Sequence, residues 1–569
     1  MTGGKPPKGT ANTGSTTQCP LPENEKVGIP GVSEVNHNAS PYLAGLKLLI
    51  LMGGLTVVMF LAMLDMAIIG TAIPQISSDF HRLQDVGWYI GAYQLASATV
   101  QPLTGKAYTY FSTKWSLLFF FFVFEVGSAI CGAAQNSIMF IIGRSIAGLG
   151  CSGLSNGSLT VLSGAVSPEK RPLYTSLTMA VGQIGVILGP ILGGVFTEHA
   201  TWRWCFYVNL PLGGLVAAFL VFLHIPDHIV KEPITTQHLR EILPKFDLVG
   251  FALFAPAAIM LLLALQFGSS DYSWKSATVI GCFCGAGVTA VVFLLWERSM
   301  GKDAMMPLQM ISRRIVWTSS LFYGLLMSVS VGGGSFLPIY FQSVKGHEPL
   351  TSALYLLPSI LSQIIFLLIS GALMTKFRFY IPWAAFAASS TALGCGLIST
   401  WAPDSTLGKL FGHQVPYAAR GAAIQIAFLA VQLTLPANEI ALGMSFLVFS
   451  QNILGAIVVT LGNTIFQETL KSKIVQYAPE VSPEAAVAAG GSADAVRQLA
   501  AQGDDALLGN VLRAFSDSFD NIMYLFVAMS VVSFFLCFGM GWIDLQAHGK
   551  KPEEAAAREQ KEDGEMQGV

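Results

Sequence analysis

The chain has 569 residues, 53% hydrophobic and 12% charged, with a mean hydropathy of +0.57 and a formal net charge of −2. Soluble domains carry roughly 25% charged residues, which excludes a soluble enzyme or a disordered scaffold, and without a basic excess a nucleic-acid binder is excluded as well. The eight cysteines are scattered through apolar runs and show neither disulfide nor metal-ligand spacing.

In chain order, residues 1–45 are rich in Gly, Pro, Thr and Asn and read as a disordered cytoplasmic tail. Fourteen apolar runs follow, starting near Leu48, Val86, Trp115, Ile138, Thr175, Phe206, Leu248, Thr278, Val316, Ser352, Ile381, Val415, Ile440 and Ile522. Each approaches the ~20 residues a bilayer requires. The expected class is an all-α integral membrane protein. A six-helix bundle over 46–226 is followed by a cytoplasmic linker at 227–246, two linker spans over 247–297 and a second cytoplasmic linker at 298–315. A second six-helix bundle occupies 316–545, with an extracellular loop at 470–520, and a cytoplasmic tail closes the chain at 546–569. Ala-rich runs within that loop predict small amphipathic helices at the outer mouth.

The positive-inside rule fixes the orientation. With the N-terminus in the cytoplasm, most of the 32 Lys and Arg fall on that side, and the short outer loops keep only Arg82, Arg203, Lys275, Lys345 and Lys409. Two six-helix halves are the layout of a carrier that rocks around a central site.

Ionisable groups within spans cost at least ~2.5–3.5 kcal/mol each. Four are present: Asp65, Glu125, Arg144 and Arg420. A rise of ~1.5 Å per residue puts Asp65 and Arg144 at one depth in the outer half and Glu125 near the midplane. Asp65, Glu125 and Arg144 are candidates for proton coupling, with Arg144 biasing the affinity of a carboxyl. A fixed ion pair or interhelical hydrogen bond is the competing reading, and for Glu125, which follows a run of Phe, it is preferred. Arg420 either meets an anionic substrate or snorkels to the interface; snorkelling is preferred.

The fifth span carries Gly182, Gly185, Gly189, Gly193 and Gly194 at intervals that form a smooth helix face. Pro190 is expected to bend it in the outer half. A cavity for varied hydrophobic solutes needs apolar and aromatic walls with a few amides. Depth and type nominate Trp88, Tyr93, Gln94, Gln183, Tyr340, Gln342, Arg420, Gln451 and Asn452. Taken singly, each is read first as an interhelical hydrogen bond; as a set they point to a cavity.

These residues resemble the major facilitator superfamily, and within it the fungal 14-spanner drug:proton antiporters. The patches that carry the resemblance are Leu64-Asp65 through Pro74, Arg144-Ser-Ile-Ala-Gly148-Leu-Gly150, Gly185 through Gly194, Trp202 through Pro211, and Pro338 through Gln342 with Gly346 and Leu357-Pro358. The resemblance implies a major facilitator fold, an arginine at 144 linked to proton coupling, and export associated with the Gly189-Pro190 patch. One loop departs from the family pattern. Gly105, Lys106 and Lys114 of the gate motif are present, but Thr109 and Ser112 stand where the family has an Asp and a second Gly. Neutral hydrogen bonds would then replace a charge relay.

The expected function is a proton-coupled exporter of drugs, toxins or fungal secondary metabolites, with no enzymatic activity and no cofactor besides the proton gradient. The expected partners are a small hydrophobic substrate, protons and the lipid bilayer, with no nucleic acid, for a monomer in the plasma membrane. The alternatives are a carrier of a defined nutrient or metal chelate in the vacuolar membrane and a non-transporting sensor.

Overall fold

A computed structural model describes residues 43, 45–82, 85–223, 225, 231, 240–269, 273–490, 493–499 and 505–543. The expected N-terminal and C-terminal tails, and most of the first linker, lie outside the described residues. All regular structure among the described residues is helical. A hydrocarbon phase dictates this, because a helix pairs every backbone N–H and C=O within its own segment.

The first half comprises α1 (Gly45–Phe80), α2 (Val86–Tyr110), α3 (Thr113–Ala133), α4 (Ser137–Ala165), α5 (Arg171–His199) and α6 (Trp204–Phe222), the last irregular only at Val208. The linker pair is α7 (Leu248–Ser269) and α8 (Ala277–Met300). The second half begins with α9 (Arg314–Ser343), α10 (Leu357–Phe377) and α11 (Ile381–Ile398). Then comes a broken segment, in which α12 (Leu407–Tyr417) passes through a 3-10 stretch at Ala418–Ala423 into α13 (Ile426–Thr434). The long α14 (Ala437–Tyr477), the short α15 (Pro483–Ala489) and α16 (Ala493–Gln498), and α17 (Asp505–Cys537) complete it.

Among the described residues, twelve helices are long and apolar enough to cross a membrane. Two of the expected fourteen runs do not meet that standard. α2 carries Gln94, Gln101, Thr104 and Lys106 along its length, and the Leu407–Thr434 segment is divided by its 3-10 stretch. The expected loop at 470–520 is corrected. α14 continues to Tyr477 and α17 starts at Asp505, well before Ile522. The polar residues that marked a loop are paired on helix surfaces: Lys471 meets Glu468 at 2.8 Å, Lys473 meets Asp517 at 3.5 Å, and the Tyr477 hydroxyl donates to Asp517 at 2.8 Å.

Each half has its own core. Leu55, Val58, Phe121, Phe124 and Leu154 fill the first half; Phe322, Leu326, Ala387 and Phe428, with Phe336, Tyr340 and Phe519, fill the second. A smaller cluster of Phe254, Phe293, Met305 and Met306 belongs to the linker pair. Few residues of α8 are buried, whereas most of α9 is. The outward face of α8, with Val288, Val291, Leu294 and Leu295 exposed, is what a lipid-facing helix requires.

The halves meet where α1 begins. Gly105 of α2 lies so close to α14 that an added Cβ would stand 2.9 Å from Leu442 Cα. Gly371 of α10 is pressed against Ser176 and Pro172 of α5, where only glycine permits the approach. Ser176 donates to the Gln425 side chain, which in turn donates to Ser370 Oγ at 3.2 Å, so a chain of neutral hydrogen bonds crosses this closed end.

Candidate functional site

Asp65 lies just past the middle of α1 and is fully buried. The helix is held from one side by the glycine face of α5. An added Cβ at Gly185 would stand 2.7 Å from Phe60 O, one at Gly189 2.5 Å from Ala67 Cβ, and one at Gly193 2.8 Å from Ile68 O. Gly182 has only ordinary contact with Met63 and Met59, and Gly194 faces open space. The smooth face therefore packs α5 on α1 within one half, and α5 runs unbroken through Pro190.

On its other side Asp65 meets α4. The side chain of Asn136 caps that helix by accepting from Met139 N at 2.9 Å, and Arg144 follows two turns later. Arg144 is 1% exposed. Its Nη1 donates to Asp65 Oδ2 at 2.7 Å and its Nε to the main-chain oxygen of Tyr89 at 3.1 Å. The guanidinium lies over the ring of Tyr93 at 4.3 Å and near that of Phe206 at 5.9 Å. The second carboxylate oxygen accepts from Asn209 Nδ2 at 3.3 Å, and the same amide donates to Ser128 Oγ at 3.2 Å. Five of the six helices of the first half thus contribute to one ion pair. A buried pair survives only when further hydrogen bonds offset desolvation, and here the carbonyl of Tyr89 and the amide of Asn209 supply them.

A second polar chain tops this site. The Tyr89 hydroxyl donates to Ser137 Oγ at 3.1 Å, and Ser137 donates to Asp85 Oδ2 at 2.5 Å, tying the starts of α2 and α4 together. Glu125 stands apart. Its carboxylate rests against Gly213 of α6, and both oxygens are shielded without a hydrogen-bond partner.

At the closed end, Lys106 is 3% exposed and donates to the carbonyls of Lys245 and Asp303, both at 2.9 Å. These carbonyls flank the linker pair, so Lys106 fastens α7 and α8 to α2. Lys114 points elsewhere and donates to Val221 O at the end of α6, at 2.6 Å. Thr109 Oγ1 bonds to Gly105 O at 2.9 Å and reaches Asn438 O on α14 at 3.4 Å. Lys231 donates to Tyr108 O at 2.6 Å and also to Phe111 O. Hydrogen bonds to main-chain carbonyls hold this loop.

The residues nominated for a cavity divide. Trp88 packs edge-on against Phe267 of α7 at 6.3 Å, which corrects its assignment to a wall between the halves. Tyr340 is likewise corrected. It is 1% exposed, its hydroxyl donates to Ala402 O at 3.1 Å, and Trp401 and Phe519 enclose its ring, so it belongs to the core. Tyr93 serves Arg144. Gln94 is exposed, while Gln183, Gln342, Gln451 and Asn452 are half-buried. None of these five side chains hydrogen-bonds to another described residue, contrary to the interhelical reading. The snorkelling expected of Arg420 is also corrected: it is 4% exposed, folded back over the Tyr417 ring at 3.8 Å, with Nη1 donating to Tyr417 O at 2.8 Å.

Sequence reasoning missed Asn209, Tyr89 and Ser128. Asn209 was legible as an amide inside the apolar Trp202–Pro211 patch; the carbonyl of Tyr89 has no sequence signal.

Residues 55–459 match the Major Facilitator Superfamily. The chain is 46% identical over 513 residues to the MFS-type transporter calB of Penicillium decumbens, covering 90% of this chain and 91% of that one. It is 43% identical over 511 residues to the efflux pump mokI of Monascus pilosus, covering 89% and 93%. Among solved structures, the proton:xylose symporter XylE superposes with a TM-score of 0.53 at 13% identity, covering 87% of this chain and 98% of that one, a likeness of fold. A chain whose described residues form two packed helical halves, and which matches the family over most of its length, belongs to the Major Facilitator Superfamily of membrane transporters.

Proposed function

We propose that the protein exports small hydrophobic compounds, such as drugs, toxins or fungal secondary metabolites, in exchange for protons. The observation that carries this reading is the buried Asp65, gripped by Arg144 and Asn209 inside the first half. A membrane-buried carboxyl with a cationic partner is the natural place to load a proton, because protonation removes the charge that holds the arginine. The names of relatives such as the efflux pump mokI support the direction of transport.

The chain crosses the plasma membrane fourteen times, with α2 and the α12–α13 segment counted among the spans and both tails in the cytoplasm. The closed end is then the cytoplasmic gate. A proton reaching Asp65 from outside frees Arg144 from its anion, α1 and α4 shift, and the contacts at Gly105 and Gly371 part. Substrate enters from the cytoplasm, and release of the proton inward restores the pair. Glu125, whose carboxylate has no hydrogen-bond partner, is the second proton site. The transporter acts as a monomer.

The test is efflux of the uncharged dye Nile red from proteoliposomes with an imposed pH gradient. Efflux should follow the gradient in the unaltered protein and lose that dependence in Asp65→Asn. Efflux that ignores the gradient rejects the coupling.

A further inference from the structure

The two halves each bury one arginine in their fourth helical segment, Arg144 held by Tyr89 and Tyr93 of the neighbouring α2 and Arg420 by Tyr417 of its own segment. Arg144 has a tyrosine ring at 4.3 Å, a main-chain carbonyl at 3.1 Å and a carboxylate at 2.7 Å. Arg420 has a tyrosine ring at 3.8 Å and a main-chain carbonyl at 2.8 Å. Among the described residues it has no carboxylate within salt-bridge distance, and its Nε is buried without an acceptor. α9 follows the course of α1 in its half but carries Val329 and Gly333 where Tyr417 meets it, and neither can serve as an anion.

A guanidinium cannot shed its proton at any physiological pH, so burial without an anion is strongly unfavourable. The 3-10 stretch that holds Arg420 interrupts the helix, and such mid-helix stretches mark hinges. Closing on an anion there would link occupancy to the shape of the second half.

We propose that Arg420 is a carboxylate-binding point in the second half, and that compounds bearing a carboxylate supply to Arg420 the anion that Asp65 supplies to Arg144. This rests on the export reading and narrows it. Hydrophobic acids are preferred cargo, with the planar fork of the guanidinium engaging both carboxylate oxygens.

The experiment compares 1-naphthoate with its uncharged counterpart 1-naphthamide, by the thermal shift each produces in the purified full-length protein. Naphthoate should bind at least tenfold more tightly than naphthamide, and Arg420→Gln should collapse that discrimination. Equal binding of the two probes, no naphthoate binding at all, or undiminished discrimination in Arg420→Gln overturns the proposal. If Arg420→Gln does not fold, Arg420→Lys carries the test: a point charge should bind naphthoate several-fold more weakly than the fork, and unchanged affinity overturns the assignment. Gradient-independent Nile red efflux in a protein that still discriminates naphthoate would reject proton coupling and leave the Arg420 site standing.

Discussion

Asp65 and Arg144 were placed at a common depth by helix arithmetic, and in the fold they touch, with every hydrogen of the Asn209 amide also committed. Removing one partner of such a buried pair leaves an uncompensated charge, which costs about 3–5 kcal/mol. Asp65→Asn should therefore lower the unfolding temperature of the purified protein markedly. Asp65→Asn combined with Arg144→Leu should recover most of that loss, while gradient-driven efflux stays absent from both. A single variant as stable as the unaltered protein would contradict the geometry. Asn209→Leu removes the two donors that hold Asp65 Oδ1 and Ser128, at a cost of about 1–3 kcal/mol for the stranded acceptors. The same thermal scan checks it.

Helices α2 and α14 approach so closely that the gate depends on a missing side chain. Gly105→Val would drive methyl groups into the backbone of Leu442, which cannot yield as a flexible side chain can. The closed end should open, and a cysteine introduced at Asn438 should react with a water-soluble maleimide several-fold faster than in the unaltered background. An unchanged rate would mean that the contact does not govern closure. The linker pair is bound to the same gate through Lys106. Lys106→Met keeps the aliphatic stem but strands the carbonyls of Lys245 and Asp303. Hydrogen exchange in residues 240–247 and 301–311 should then rise, with little change in α9–α11.

For the whole molecule, an even number of spans puts both tails on one face and the 399–406 and 478–482 connections on the other. Epitope tags at the two termini should be reached only after the membrane is permeabilised, and a tag inserted at Pro403 should be reached in intact cells. A terminal tag accessible from outside would remove α2 or the α12–α13 segment from the span count. That count is where composition serves least well. A buried helix among neighbours can carry Gln101, Thr104 and Lys106, since Gln101 accepts from Ser152 at 2.7 Å, Thr104 from Asn156 at 3.2 Å, and Lys106 has its two carbonyls.

Sequence alone determined the membrane-spanning class, the helical content and most helix starts, because these follow from apolar length and from the need to pair every backbone group locally. It also marked Asp65 and Arg144, since a charge in hydrocarbon is conspicuous wherever the chain later folds. Only the tertiary structure decided what each polar group faces. Trp88 turned to α7, Tyr340 to its own core, and Arg420 back onto Tyr417. Helix periodicity gives the direction of a side chain relative to its own axis, whereas the neighbour in that direction comes from how separate helices pack. The extension of α14 to Tyr477 was hidden for the same reason, because its polar residues are matched by partners on α17 some forty positions away.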